Sequence, residues 1–401
     1  MIKKVLIFNT TGWNQSAASL VEGLKLNKDL ELFSTTKSNY GADILIKSRR
    51  HYSYYPLEIR MWNGPPAHSL WVQSFVMDED DYVIECQQLM DECDLIVIFD
   101  VDDQSHAYFR NFDEHVLPQK DINQYTKQGV TLRHEGEMID ILHKDALDGF
   151  RDKVVTINTD DFSSVYRKYG TYEGGLPQDC KIYFKREKDL NIEGPANVEP
   201  MPFSAEERYF TGGKDFDKIW GSKNLNMSCL FRTSSNTDRL PIRNELIKQY
   251  GEDKLCVMDS VFGRKKNDGL DEVLEGVDIG NCVRHHHLYF DAIYDAKINI
   301  EGPPGGRAFY TGRMMESLAN GCCYFYPTPN YNVDFPNELI DGEDFIIYHN
   351  LDDLIEKIEY YLSHEEEMKA VAQNGFNKLL KYHTSEVRAK EFIETCERYM
   401  G

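Results

Sequence analysis

Between Ile298 and Pro327 the chain reads INIEGPPGGRAFYTGRMMESLANGCCYFYP, and this stretch gathers residues suited to holding an anion. Arg307 and Arg313 bracket the start of an expected helix that runs from near Tyr310 to Gly321. Guanidinium forks match the geometry of phosphate oxygens. Gly305 and Gly306 precede that helix, where a glycine loop lets backbone N–H groups approach a phosphate. Glu316 lies three residues beyond Arg313 and shares its helix face. A carboxylate there can accept two hydrogen bonds from a ribose or sugar diol. An ion pair on an exposed helix surface is the plainer account of the same two residues. Arg232, with Thr233 and Ser234, follows an expected strand and is either a second phosphate clamp or an arginine ordering its own loop.

Other constellations carry chemistry less directly. Asp100-Val-Asp102-Asp103 follows an apolar strand directly, and hard carboxylates so placed suit Mg²⁺ or Mn²⁺. The chain is rich in such acids, Asp78-Glu-Asp-Asp81 and Asp160-Asp161 among them, so a solvated loop or a cleft-facing acceptor contact explains the run better than a metal does. Asp100 or Asp160 is also a candidate general base toward an acceptor hydroxyl. Gly12, Trp13 and Asn14 fall where ligands bind in open α/β folds, or form an ordinary turn. Arg284-His-His-His287 does not read as a metal cluster, because adjacent residues point to opposite faces. A loop with one histidine, such as His285, toward a cleft fits better.

The elements expected to position these residues are strands and helices in alternation. Strand, glycine loop, helix, strand over Lys297–Tyr326 is the unit that holds phosphates at a helix N-terminus, with Gly321 able to end the helix at positive φ. Apolar runs at Lys3–Phe8, Asp94–Phe99, Lys153–Asn158, Lys181–Phe184 and Met227–Phe231 read as buried strands of parallel sheets. Helices are expected over Ala17–Leu26, Pro241–Tyr250 and Leu288–Tyr294. Leu351, Leu354, Ile355, Ile358, Tyr361 and Leu362 mark another by their period, capped by Asn350. Two further helices follow, at about Glu366–Leu380 and Ser385–Tyr399. The first strand opens no G-x-G-x-x-G, so ordinary dinucleotide binding is disfavoured. The Pro- and Gly-rich stretch from Asn191 to Gly213 reads as a connection, giving domains over 1–195 and 226–380, a link over 196–225 and a terminal helix over 381–401.

Arg313-Met-Met-Glu316-Ser-Leu-Ala-Asn-Gly321 resembles the R-x-x-E-x-x-A-x-G signature of two-domain (GT-B) glycosyltransferases of the glycosyltransferase-1 superfamily, in particular the CgeB-like spore-maturation branch. The resemblance runs from Tyr289 to Phe392, through Asn337–Tyr348, Leu351–Leu354, Gly375 and His383, and includes Tyr183-Phe-Lys-Arg-Glu187 outside that range. It implies an α/β protein of two Rossmann-like domains facing across a cleft, with the last helix returning to the first domain. It also implies sugar transfer from a nucleotide-diphosphate sugar, with Glu316 on the ribose and basic residues neutralising the leaving diphosphate, and no cofactor required. The acceptor would be a glycan, a protein or another hydroxyl compound. One departure stands out: the E-x7-E motif of retaining families would place a glutamate where this chain has Ala308. A metal-dependent transferase using Asp100 and Asp102, as in the GT-A fold, is the rival enzyme reading. A nucleotide-sugar binding protein without catalysis is the rival of another class.

Bulk properties bound these readings. The chain has 401 residues, which suits two domains. Its formal charge of -22 disfavours broad contact with nucleic acid. No apolar run reaches the ~18 residues of a membrane span, and the opening MIKKVLIFNTTG does not make a signal peptide. Nine cysteines without C-x-x-C spacing read as reduced core residues of a cytoplasmic protein.

Overall fold

The computed structural model describes residues 1–8, 15–34, 91–99, 151–158, 181–186, 188, 197–231, 238–251, 255–257, 286–303, 311–329 and 335–401. Among these described residues, those up to Pro202 together with Arg388–Gly401 form one compact unit, and Phe203–Val387 form another.

The first unit is built on strands β1 (Lys4–Phe8), β2 (Glu31–Ser34), β3 (Leu95–Phe99), β4 (Val154–Asn158), β5 (Ile182–Lys185) and β6 (Val198–Pro200). They pair in the order β2-β1-β3-β4-β5-β6, and every pairing is parallel. Val5, Leu6, Ile7, Leu95, Ile96, Val97 and Val155 are fully buried on both sheet faces, which is why these strands are continuous apolar runs rather than alternating ones. Helix α1 (Gln15–Leu26) adds Leu20, Val21 and Leu24 to that core. The composition of 191–213 suggests a connection, yet Val198–Pro200 is the edge strand β6, paired to β5. Pro200 ends it, as proline is tolerated only on an edge.

The second unit contains β7 (Leu225–Cys229), β8 (Leu255–Val257), β9 (Ala296–Ile300), β10 (Cys323–Pro327) and β11 (Ile346–Tyr348), all parallel, in the order β11-β10-β9-β7-β8. Its helices are α2 (Phe216–Gly221), α3 (Arg239–Tyr250), α4 (His286–Asp295), α5 (Gly312–Ala319), α6 (Leu351–Ser363) and α7 (Glu365–Tyr382). Asp215 caps α2 by accepting from the Lys218 amide, and Asn350 caps α6 by accepting from that of Asp353. Helix α7 lies so close to the 341–345 turn that a Cβ on Gly375 would stand 2.3 Å from the Asp344 carbonyl oxygen. A larger residue there would force the helix off the sheet. Helix α8 (Ser385–Met400) carries the chain from the second unit into the first. There Phe392 packs on Phe184 with ring centroids 4.8 Å apart, and the Tyr399 hydroxyl donates to Glu199 at 2.7 Å.

Candidate functional site

In both sheets the chain order reverses at one point, between β1 and β3 in the first and between β7 and β9 in the second. Connections leave such a point in opposite directions and open a crevice beyond the strand C-termini, where ligands of open α/β sheets bind. In the second unit that crevice is flanked by Phe231 after β7 and Glu301 after β9.

Glu301 is the hub of this crevice. Only 2 % exposed, its side chain receives four donors. On Oε1 these are the Gly302 amide at 3.0 Å and Nη1 of Arg313 at 2.5 Å. On Oε2 they are the Tyr324 hydroxyl at 3.0 Å and the Thr311 hydroxyl at 3.3 Å. A carboxylate offers about four lone-pair sites, so this one is saturated. The Tyr348 hydroxyl donates to the Glu301 backbone carbonyl at 2.6 Å. Burial, and then the Glu301 charge, hold both tyrosines well above the usual phenol range, so they remain donors.

Local sequence explains how α5 reaches this carboxylate. Thr311 has extended backbone and its Oγ1 accepts from the Met314 amide at 3.3 Å, an N-cap. The same hydroxyl donates its proton to Glu301, so one side chain both starts the helix and ties it to the strand. The far end closes with a Schellman pair: the Cys322 amide donates to Ser317 and the Gly321 amide to Leu318, both at 3.0 Å. Gly321 takes φ 63°, the conformation that asks for glycine. Register puts Ser228, Asn299 and Tyr324 side by side across three strands, and alternation puts Glu301 on the same face as Asn299. Asn299 Nδ2 donates to Ser317 Oγ at 2.9 Å, and that hydroxyl donates to the Arg313 carbonyl at 2.7 Å. A polar seam therefore runs under the first turns of α5 in an otherwise apolar layer.

A second guanidinium comes from α3. Arg239 Nε donates to the Pro303 carbonyl at 2.6 Å, and its guanidinium lies 5.7 Å from the centre of the Phe231 ring. Burial lowers its pKa, with Glu301 opposing that shift and Arg313 adding to it, so the two arginines and the carboxylate share one field. Phe231 in turn presses on Gly302, where a Cβ would meet three ring carbons at 2.8–2.9 Å. Two guanidinium groups and a helix N-terminus thus gather around the Glu301 carboxylate, a local concentration of positive charge in a chain of charge -22. Guanidinium groups and a helix N-terminus are chemically suited to anions. The saturated Glu301 is not placed to move protons.

Residues 259–394 match the family described as glycosyl transferase-like, which is about a third of the chain. No curated protein matches it. Among solved structures, a glycosyltransferase from Rickettsia africae is similar over 100% of this chain and 99% of its own, with TM-score 0.51 and 9% identity. HepE of Anabaena, solved with UDP and glucose, aligns over 99% and 100% with TM-score 0.49 and 10% identity. MnaA of S. aureus, solved with UDP, aligns over 100% and 97% with TM-score 0.41 and 10% identity. The fold is that of the GT-B glycosyltransferases.

Of the residues singled out by sequence, Arg313 and Glu316 lie in the described structure. Both sit on α5, Arg313 with its side chain 21% exposed and Glu316 only 1 % exposed. Arg313 turns its Nη1 to Glu301, and the enclosure of Glu316 removes the picture of a solvated helix-surface pair. The Glu316 carbonyl accepts from Asn320 Nδ2 at 2.8 Å. Gly12, Trp13, Asn14, Asp100, Asp102, Asp160, Arg232, Ser234, His285, Gly305, Gly306 and Arg307 lie outside the described residues. Among the described residues no three His, Cys, Asp or Glu side chains stand together as metal ligands. None of their helices is long and apolar enough to cross a membrane. Sequence reasoning passed over Glu301, Arg239, Tyr324 and Tyr348. Glu301 carried a signal, an acid directly after an apolar strand and before Gly-Pro. The others carried none, because only the folded sheet brings them together.

Proposed function

We propose that this chain is a GT-B glycosyltransferase of the glycosyltransferase-1 superfamily, in its CgeB-like branch, acting in the cytoplasm. The observation that carries the reading is the positive locus at the switch point of the second unit, where Arg239, Arg313 and the N-terminus of α5 converge on Glu301. A nucleotide-diphosphate sugar fits that locus in charge. Arg313, with Arg307, the Gly305–Gly306 loop, Arg232 and Ser234, would neutralise the diphosphate as the glycosidic bond breaks and negative charge grows on the leaving oxygen. Glu316 would accept the ribose hydroxyls. The first unit would bring the acceptor hydroxyl, with Gly12, Trp13 and Asn14 as contacts, His285 at the cleft, and Asp100 or Asp160 as base. The positive charge comes from side chains and a helix terminus, so this reading requires no metal.

The test is the thermal shift given by UDP, GDP, ADP and CMP to wild type and to Glu316→Gln, first in EDTA and then in Mn²⁺. A ligand at about 100 times its Kd adds about 2.7 kcal/mol. Stabilisation of wild type by one nucleotide in EDTA, reduced in the variant relative to its own baseline, is expected. Stabilisation only with Mn²⁺ and equal in both proteins would move the donor to Asp100 and Asp102. Ala308, in place of the glutamate of retaining enzymes, favours one second reading, a binding protein without turnover. Donor binding with no release of nucleotide in the presence of acceptors would support it.

A further inference from the structure

The carboxylate that organises the site is not one that the donor-binding reading uses. Glu301 touches both ends of the Gly- and Pro-rich segment 302–311, through the Gly302 amide at one end and the Thr311 hydroxyl at the other. It also holds the guanidinium of Arg313, in the first turn of α5, and is itself fixed to the neighbouring strand by Tyr324. Its backbone is secured independently, by Tyr348 on its own carbonyl and by Arg239 on that of Pro303. Every lone pair of the carboxylate is engaged and the side chain is enclosed. Those facts exclude a role as nucleophile or general base and leave one of geometry.

We propose that Glu301 is a positioning residue of the donor site: it fixes the Arg313 guanidinium and the first turn of α5 in the orientation that receives the phosphates of a nucleotide sugar. The inference rests on the donor-site reading above and goes beyond it by assigning the binding energy of Arg313 to a second residue. Ion pairing to Glu301 also tempers the charge. Unrestrained, the Arg313 side chain would have several rotamers to lose on binding; held by Glu301, it has lost them already. Immobilising one rotamer-rich side chain beforehand is worth up to about ten-fold in affinity.

The experiment is a double-mutant cycle on the full chain, reading nucleoside diphosphate affinity by calorimetry with the nucleotide that stabilises wild type most. Glu301→Gln keeps the shape of the side chain and removes its charge; Arg313→Gln removes the guanidinium. The expected result is a loss of about ten-fold or more for each single variant, and no more than about three-fold extra when the second change is added to the first. Tyr324→Phe removes one donor from the same carboxylate and leaves its charge. It is expected to weaken binding a few-fold and to lower the melting temperature of the unliganded protein less than Glu301→Gln does, because Thr311 still donates to the same oxygen, and it carries the test if Glu301→Gln does not fold. Wild-type affinity in Glu301→Gln, or in Tyr324→Phe where only that variant folds, would overturn the proposal. So would losses that multiply in the double variant, because Glu301 would then act independently of Arg313. A wild-type protein that binds no nucleoside diphosphate would overturn the donor reading itself, and this assignment with it.

Discussion

Tyr324 and Tyr348 hold their protons because the protein encloses them beside Glu301, and several thiols are buried in the same manner. Free phenols titrate near 10.0 and free thiols near 9.0. Burial lifts Cys93 to about 11 and pushes up Cys322, Cys323, Cys396, Tyr324 and Tyr348 as well. The unfolded chain therefore releases these protons at lower pH than the folded one. Their contribution to stability is complete below the unfolded values and declines as pH rises toward the folded ones. Among the described residues Lys223, Arg239 and Arg388 shift downward, which works in the opposite sense, but the arginines ordinarily titrate above this range and Tyr250, Tyr360, Tyr361 and Tyr399 shift upward with the six. The urea midpoint is expected to fall steadily between about pH 8.5 and about pH 10.5, and a midpoint constant over that range would contradict this account. At this scale the sequence was partly legible. The Arg313 and Glu316 spacing announced the helix that bears the site. It could not announce that Arg313 bonds to Glu301, because that contact depends on where the helix docks against β9 and not on spacing along it.

Among elements, the unit of β9, α5 and β10 follows most directly from its sequence. An apolar run, a glycine loop, a threonine cap and a closing Asn-Gly pair each favour the same structure locally. Strand β6 shows the converse. Three residues beside prolines carry no period, and only the waiting edge of β5 makes a strand of them. The opposite end of the second sheet depends on a feature with no sequence signal at all. Lys223, 8% exposed, donates to the carbonyls of Tyr294 at 2.9 Å, Ala296 at 2.8 Å and Asn320 at 2.8 Å. One ammonium thus closes the C-termini of α4 and α5 and the start of β9, where a cation also meets the negative ends of two helix dipoles. Lys223→Met would leave three carbonyls without that donor. It is expected to lower unfolding free energy by about 3 kcal/mol with an unchanged denaturant slope. A loss below about 0.5 kcal/mol would show the cap to be dispensable.

For the molecule as a whole, two parallel sheets with the same reversal of order arise because buried strands separated by helices can be covered on both faces only in that way. Apolar runs in the sequence were enough to announce the parallel sheets, though not the order of their strands. The site needed more, since its arginines come from α3 and α5 and its carboxylate from β9, which only the strand order brings together. The proposed donor site lies at the switch point of the second unit. Amide hydrogen exchange of the full chain, with and without the most stabilising nucleoside diphosphate, distinguishes that location from the first unit. New protection over 301–303 and 311–317, with little change over 8–14 and 99–103, is the expected result. Protection confined to 8–14 and 99–103 would place the nucleotide on the first unit and contradict the account.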